Sequence, residues 1–127
     1  MGQITTAYDL DGTLCYTDFT EGVSPLNIVH KNQRNATLLY KPEGQIIIIT
    51  ARPVSDYNST YYWLNKHNID AIVYFSPIVN FELGYMINYK LKLLKELKIE
   101  LYYEDIPEII YALQQYGINA VKPPWIK

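Results

Sequence analysis

Short runs of β-branched and aliphatic residues alternate along this chain with segments whose apolar residues recur every three or four positions. These are the two periods that separate strands from amphipathic helices. Strands are predicted over residues 3–8, 45–50, 71–75, 99–103 and 118–121, each short and bounded by polar or turn-forming residues. Helices are predicted near 31–41, 55–67, 81–97 and 107–116, with Ser55 as an N-cap, Pro107 in a first turn and Gly117 as a C-terminal stop. The 31–41 segment has the poorest pattern, because Asn32, Gln33, Arg34 and Asn35 leave it little apolar stripe. Strands interleaved with helices predict an α/β fold, a Rossmann-like open parallel sheet of about five strands with helices on both faces.

Ligands in such sheets bind beyond the carboxyl ends of the strands, where the strand order reverses. Polar residues gather at those ends here: Asp9 and Asp11 after the first strand, Thr50 and Arg52 after the second, Glu104 and Asp105 after the fourth. In Asp9-Leu10-Asp11-Gly12-Thr13 the two carboxylates are two residues apart, so they can face one cleft while Leu10 turns to the core and Gly12 lets the backbone turn sharply. A calcium loop of the EF-hand type fails, since its glycine would fall on Leu14 and its closing glutamate on Thr20. Two solvated turn aspartates remain the alternative for the pair alone.

Glu104 and Asp105 end a run of Leu101, Tyr102 and Tyr103, so they follow a buried strand and do not sit on a charged helix. Four carboxylates converging there would repel and raise one another's pKa unless a hard cation offset them. Oxygen-only ligands with no His or Cys nearby favour Mg2+. Thr50 offers a hydroxyl to a phosphoryl oxygen, and Arg52 is either a phosphate donor or a surface ion-pair partner. On the helix ending at Leu97, Lys90 shares a side with Leu93, Leu94 and Leu97, while Lys92, Lys95 and Glu96 lie opposite. From that stripe Lys90 can reach the sheet edge and neutralise phosphate and Asp9 together; the alternative lays its stem along the core edge with the ammonium in water.

Composition narrows the class without changing this picture. At 127 residues, with 49% hydrophobic and 19% charged, the chain suits one compact core. Its apolar runs are too short to span a bilayer, and no basic segment followed by an apolar one opens it, so a cytoplasmic location with no membrane partner is the default. The single cysteine, Cys15, cannot form an internal disulfide and suits a small buried role. A net charge of −2 gives no general drive toward polyanions. The thirteen tyrosines fit half-buried packing, with stacking on a base as the minority alternative.

Taken in order, the aspartate pair in DLDGT, the strand-ending threonine in IIIITARP, a lysine on an apolar helix face and the acidic pair in YYED resemble the haloacid dehalogenase (HAD) superfamily of phosphohydrolases, over Tyr8 to Asp105. The resemblance implies one HAD-like hydrolase domain over 1–127 without a cap domain, because only 36 residues separate Thr13 from Thr50 and 39 separate Thr50 from Lys90. A short flap over 14–24, carrying Tyr16, Asp18 and Phe19, would cover the site. Asp9 would attack phosphorus to form an aspartyl-phosphate, while Asp11 protonates the leaving oxygen and then activates water. Asp11 would need a pKa shifted upward for that task. Mg2+ would be held by the Asp9 side chain, the Asp11 backbone carbonyl and the Glu104-Asp105 pair, with Thr50 and Lys90 holding phosphate. Many members carry Asp-Asp where Glu104 stands first here, and Glu108 offers a further carboxylate, so Asp105 is the firmer ligand and Glu104 the looser.

The implied activity is magnesium-dependent hydrolysis of a phosphomonoester on a small metabolite, a nucleotide or a nucleic-acid end. Capless members act on bulky substrates, including polynucleotide 3′-phosphates, or cover the site by homo-oligomerising. Two other functions compete: a catalytically silent metal- and phosphate-binding regulatory module, and a phosphotransferase to an acceptor other than water.

Overall fold

A computed structural model describes residues 4–17 and 34–126. Its elements are β1 (Thr6–Tyr8), β2 (Gln45–Pro53), a 3₁₀ turn (Val54–Asp56), α1 (Tyr57–Lys66), β3 (Asp70–Ser76), α2 (Leu83–Glu96), β4 (Leu101–Tyr103), α3 (Pro107–Gln115) and β5 (Ala120–Val121). The strands form one five-stranded sheet in the order β3-β2-β1-β4-β5, and every pairing is parallel. Helices flank both faces, and there is no separate cap domain among the described residues. This is the Rossmann-like open sheet that the alternation of patterns predicts, and the HAD-like core that the resemblance implies.

The isoleucine run of β2 is covered on both faces, which is why it reads as continuous and not alternating. On one face α1 buries Trp63 and Leu64 against Ile48, Leu10 and Leu14; on the other, Leu94 of α2 and Ile109 and Leu113 of α3 pack on Ala7, Ile49, Tyr102 and Ala120. The polar edges of both tryptophans are satisfied: Trp63 Nε1 donates to the Ala36 carbonyl and Trp125 Nε1 to that of Thr13, each at 2.8 Å. The second bond ties the C-terminal segment to the loop that carries Asp9 and Asp11.

Several boundaries differ from expectation. β2 runs on to Pro53, with a register irregularity between Ile49 and Pro53. Ser55 is not an N-cap: it lies inside the 3₁₀ turn, and Asp56 precedes α1 without a side-chain capping bond. The helix predicted over 31–41 is absent from its described part, 34–41. There Leu38 bridges Cys15 in antiparallel fashion, Tyr16 N–H donates to the Thr37 carbonyl and Leu39 N–H to that of Leu14, both at 2.8 Å. A segment with no apolar stripe has nothing to bury as a helix, and its backbone pairs with the loop after β1 instead. Residues 31–33 lie outside the described residues, as do 18–24 of the expected flap. Leu14 and Cys15, at the flap's start, are fully buried in the core. No helix among the described residues is long and apolar enough to cross a membrane.

Candidate active site

The chain leaves β1 toward β2 on one side and returns, after β3 and α2, to β4 on the other. The strand order therefore reverses between β1 and β4, where open α/β sheets place their ligands. Asp9 follows β1 and Glu104-Asp105 follow β4; the Asp9 N–H donates to the Tyr103 carbonyl at 2.9 Å, holding the two strand ends together. Strand alternation carries Glu104 to the face of Tyr102, the face on which α2 packs.

Lys90 meets them from α2. Its Nζ lies 3.1 Å from Asp9 Oδ1 and 2.7 Å from Glu104 Oε1, and the residue is 2% exposed, while Lys92, Lys95 and Glu96 face solvent. Glu104 also accepts the Tyr102 hydroxyl on Oε1 at 2.9 Å and the Ile106 N–H on Oε2 at 3.2 Å. Burial and the charge of Glu104 push the Asp9 carboxyl well above its ordinary value, against the pull of Lys90. Burial also opposes the charges of Glu104 and Lys90, yet the Lys90 charge lowers the glutamate, and the charges of Asp9 and then Glu104 raise the lysine. Asp105 is pushed up to about 6, chiefly by burial.

Three carboxylates share one lysine here, so negative charge is in excess. Asp9, Glu104 and Asp105 each present an oxygen, and these atoms lie within 4.8 Å of one another. Asp105 Oδ1 is buried and has no hydrogen-bond partner. An orphaned buried carboxylate oxygen in an all-oxygen cluster fits a hard divalent cation such as Mg2+. Gly12 guards this position from the other side. Its φ of 82° is left-handed, and a Cβ there would fall on the Asp105 carboxylate. Gly12→Ala should therefore cost about 1–2 kcal/mol in backbone strain and displace Asp105, so that Mg2+ titrated calorimetrically into the variant binds far more weakly than to wild type.

Asp11 and Arg52 form a second, adjoining unit. Arg52 forks the carboxylate, with Nε 2.9 Å from Oδ2 and Nη2 2.8 Å from Oδ1, and Nη1 donates to Thr60 Oγ1 at 2.9 Å. Thr17 donates to Asp11 Oδ1 at 2.8 Å. Arg52 is 2% exposed, so it is no surface ion-pair partner; its charge is met by the partly buried Asp11 carboxylate. The upward shift expected for Asp11 is not found. Burial would raise it, but the charge and hydrogen bonds of Arg52 outweigh burial and hold the carboxyl below its ordinary value. Thr50 is buried beside this pair, and its Oγ1 accepts the Arg52 N–H at 3.1 Å. Glu108 is exposed in the first turn of α3 and is not part of the acidic cluster.

Sequence reasoning missed Thr17, Thr60 and Tyr102. Thr17 and Thr60 carry no local signal, since their partners, Asp11 and Arg52, lie six and eight residues away, outside any regular strand or helix spacing. Tyr102 does: a tyrosine in a buried strand needs a partner for its hydroxyl, and Glu104, two residues on, shares its face.

No protein-family model and no curated protein matches the chain. Two solved chains share its fold. One, from the Pnkp1/Rnl/Hen1 RNA repair complex, superposes with a TM-score of 0.71 at 18% identity, covering 93% of this chain and 41% of that one. Another, from a Pnkp1/Rnl/Hen1 complex, gives a TM-score of 0.64 at 18% identity, covering 94% and 45%. The chain thus spans less than half the length of these solved chains, and at such identity what it shares with them is the open α/β, HAD-like fold.

Proposed function

We propose that this chain is a magnesium-dependent phosphomonoester hydrolase of the HAD type, working through an aspartyl-phosphate on Asp9. The observation that carries the reading is the convergence, at the β1/β4 switch point, of Asp9, the partnerless Asp105 oxygen and the buried Lys90 ammonium. An Asp9 oxygen attacks phosphorus while the ester oxygen departs with a proton from Asp11. Asp11 then takes a proton from water, which attacks the aspartyl-phosphate and releases inorganic phosphate. Lys90 offsets charge on Asp9 and the phosphoryl group, and Thr50 and Arg52 serve phosphoryl oxygens. Asp9, Asp105 and, more loosely, Glu104 would hold Mg2+, with the Asp11 carbonyl, and the ion would neutralise charge on the transferring group. For Asp11 to carry a proton, Arg52 must release it, and an arriving phosphate dianion is a competing partner for the guanidinium.

A phosphorylated nucleic-acid end is the substrate to try first, because one chain of like fold belongs to an RNA repair complex. The Asp11–Arg52 pair also supports a second reading, a binding module without turnover, since it keeps the shuttle residue anionic. The deciding experiment is phosphate release from a panel of phosphomonoesters, including a 3′-phosphorylated oligonucleotide, with Mg2+ and with a chelator. Release that vanishes with the chelator is expected. A folded protein that binds Mg2+ yet releases nothing across the panel would hand the lead to the binding module.

A further inference from the structure

We propose that Tyr102 is a positioning residue that divides the acidic cluster into two tasks, fixing Glu104 as the anchor of Lys90 and leaving Asp105 to take the cation; this rests on the hydrolase reading above. Both oxygens of Glu104 are already engaged. Its Oε1 receives Lys90 at 2.7 Å and the Tyr102 hydroxyl at 2.9 Å, its Oε2 receives the Ile106 N–H, and the residue has no exposure. Asp105, the next residue, is the reverse case: its Oδ1 is buried and receives nothing. Adjacent carboxylates on one strand end thus differ in what the fold supplies to them.

Tyr102 makes the difference permanent. It is fully buried in β4, on the face of Glu104, with the Lys90 ammonium 5.8 Å from its ring centroid. A phenol wedged in the core delivers its hydroxyl to a fixed point, whereas a glutamate stem has three torsions and can turn. Without the hydroxyl, Oε1 is held only by the lysine it is meant to hold. Glu104 is then free to swing toward Asp9, Asp105 and their cation, and Lys90 loses the second of the two carboxylates that keep it aimed at the nucleophile.

The test compares Tyr102→Phe, Glu104→Gln and Asp105→Asn. Mg2+ is titrated calorimetrically into each without substrate, kcat and KM are measured, and the Lys90 ammonium is followed in spectra of 15N-lysine-labelled protein. Tyr102→Phe keeps the ring and its packing, and Glu104→Gln probes the same bond from the other side should that variant fold poorly. Asp105→Asn is expected to weaken Mg2+ binding about 100-fold and Glu104→Gln, which removes only the looser ligand, less than about tenfold, while Tyr102→Phe stays within about threefold of wild type. Tyr102→Phe should lower kcat about tenfold at unchanged KM, and its Lys90 ammonium signal, sharp in the wild type, should broaden or shift. If Glu104→Gln loses Mg2+ as Asp105→Asn does, the division of tasks is overturned. If Tyr102→Phe lowers Tm but leaves kcat and the Lys90 signal alone, its hydroxyl is only a satisfied core donor. Should no substrate be turned over by wild type, the hydrolase reading fails, and the Mg2+ titrations and the lysine signal still decide this one.

Discussion

Asp9→Asn is expected to reduce phosphate release by about 10³-fold or more and, in the metal-free protein at neutral pH, to raise the melting temperature. The first effect follows from removing the attacking oxygen's charge. The second follows from excess negative charge. The folded state holds the Asp9 carboxyl well above its ordinary value, through burial and the nearby Glu104 charge, more strongly than Lys90 can lower it. The folded protein therefore binds this proton more tightly than the unfolded chain does. Stability from this group is highest at acid pH and falls as pH rises from the ordinary carboxylate value through the raised one, by about 1.4 kcal/mol for each pH unit between the two. Asparagine carries no such penalty, and its amide oxygen can still accept from Lys90. Mg2+ should reverse the order, since at 100 times its Kd a ligand stabilises the form it binds by about 2.7 kcal/mol, and on the proposed metal set the variant would lack a ligand. Melting both proteins at about pH 5 and about pH 8, with chelator and with Mg2+, checks each part. A wild type more stable than the variant in chelator at both pH values would mean that the Lys90 attraction dominates and that the cluster is not short of positive charge.

The fold was legible because its strands are chemically unlike everything around them. The β2 isoleucines and the apolar face of α2 admit one arrangement each, and the side of α2 on which Leu94 is buried puts Lys90 at the sheet edge. The residues brought together by the strand ends, Asp9, Glu104 and Asp105, were legible for the same reason: topology fixes where strands end. Pairing was not legible. Arg52 lies two residues beyond Thr50 near the end of β2 and gives no sign in sequence that its guanidinium turns inward to Asp11 and Thr60, 41 and 8 residues away. That one contact reverses the direction in which Asp11 is shifted, because a buried carboxylate goes up alone and down beside an arginine. The helix expected over 31–41 is missing from its described part, 34–41, for a different reason. The segment's composition allows a helix, but the loop after β1 offers its backbone partners and no helix face would be buried.

Arg52→Gln should be among the most destabilising single substitutions in the described part of this chain, at about 2–4 kcal/mol near neutral pH, because it strands a largely buried carboxylate. Glutamine can donate to one Asp11 oxygen but supplies no charge and cannot reproduce the fork. The pH dependence identifies the cause. In wild type Asp11 titrates below its ordinary value, so its contribution is present above that value and lost as pH falls through the folded one. In the variant burial acts without the arginine, the carboxyl rises, and the sign inverts: stability from Asp11 falls as pH increases. The deficit of the variant should therefore be largest at neutral pH and shrink on acidification, when Asp11 is protonated in both proteins. In an Asp11→Asn background the same substitution should cost about 1–3 kcal/mol less, the coupling expected of a direct pair. Additive effects would show that Arg52 supports the fold through Thr60 and packing alone. Inverted behaviour with strong coupling would show that Asp11 and Arg52 act as a direct ion pair, the resting state from which, on the proposed mechanism, an arriving phosphate would have to draw Arg52 before Asp11 could carry a proton.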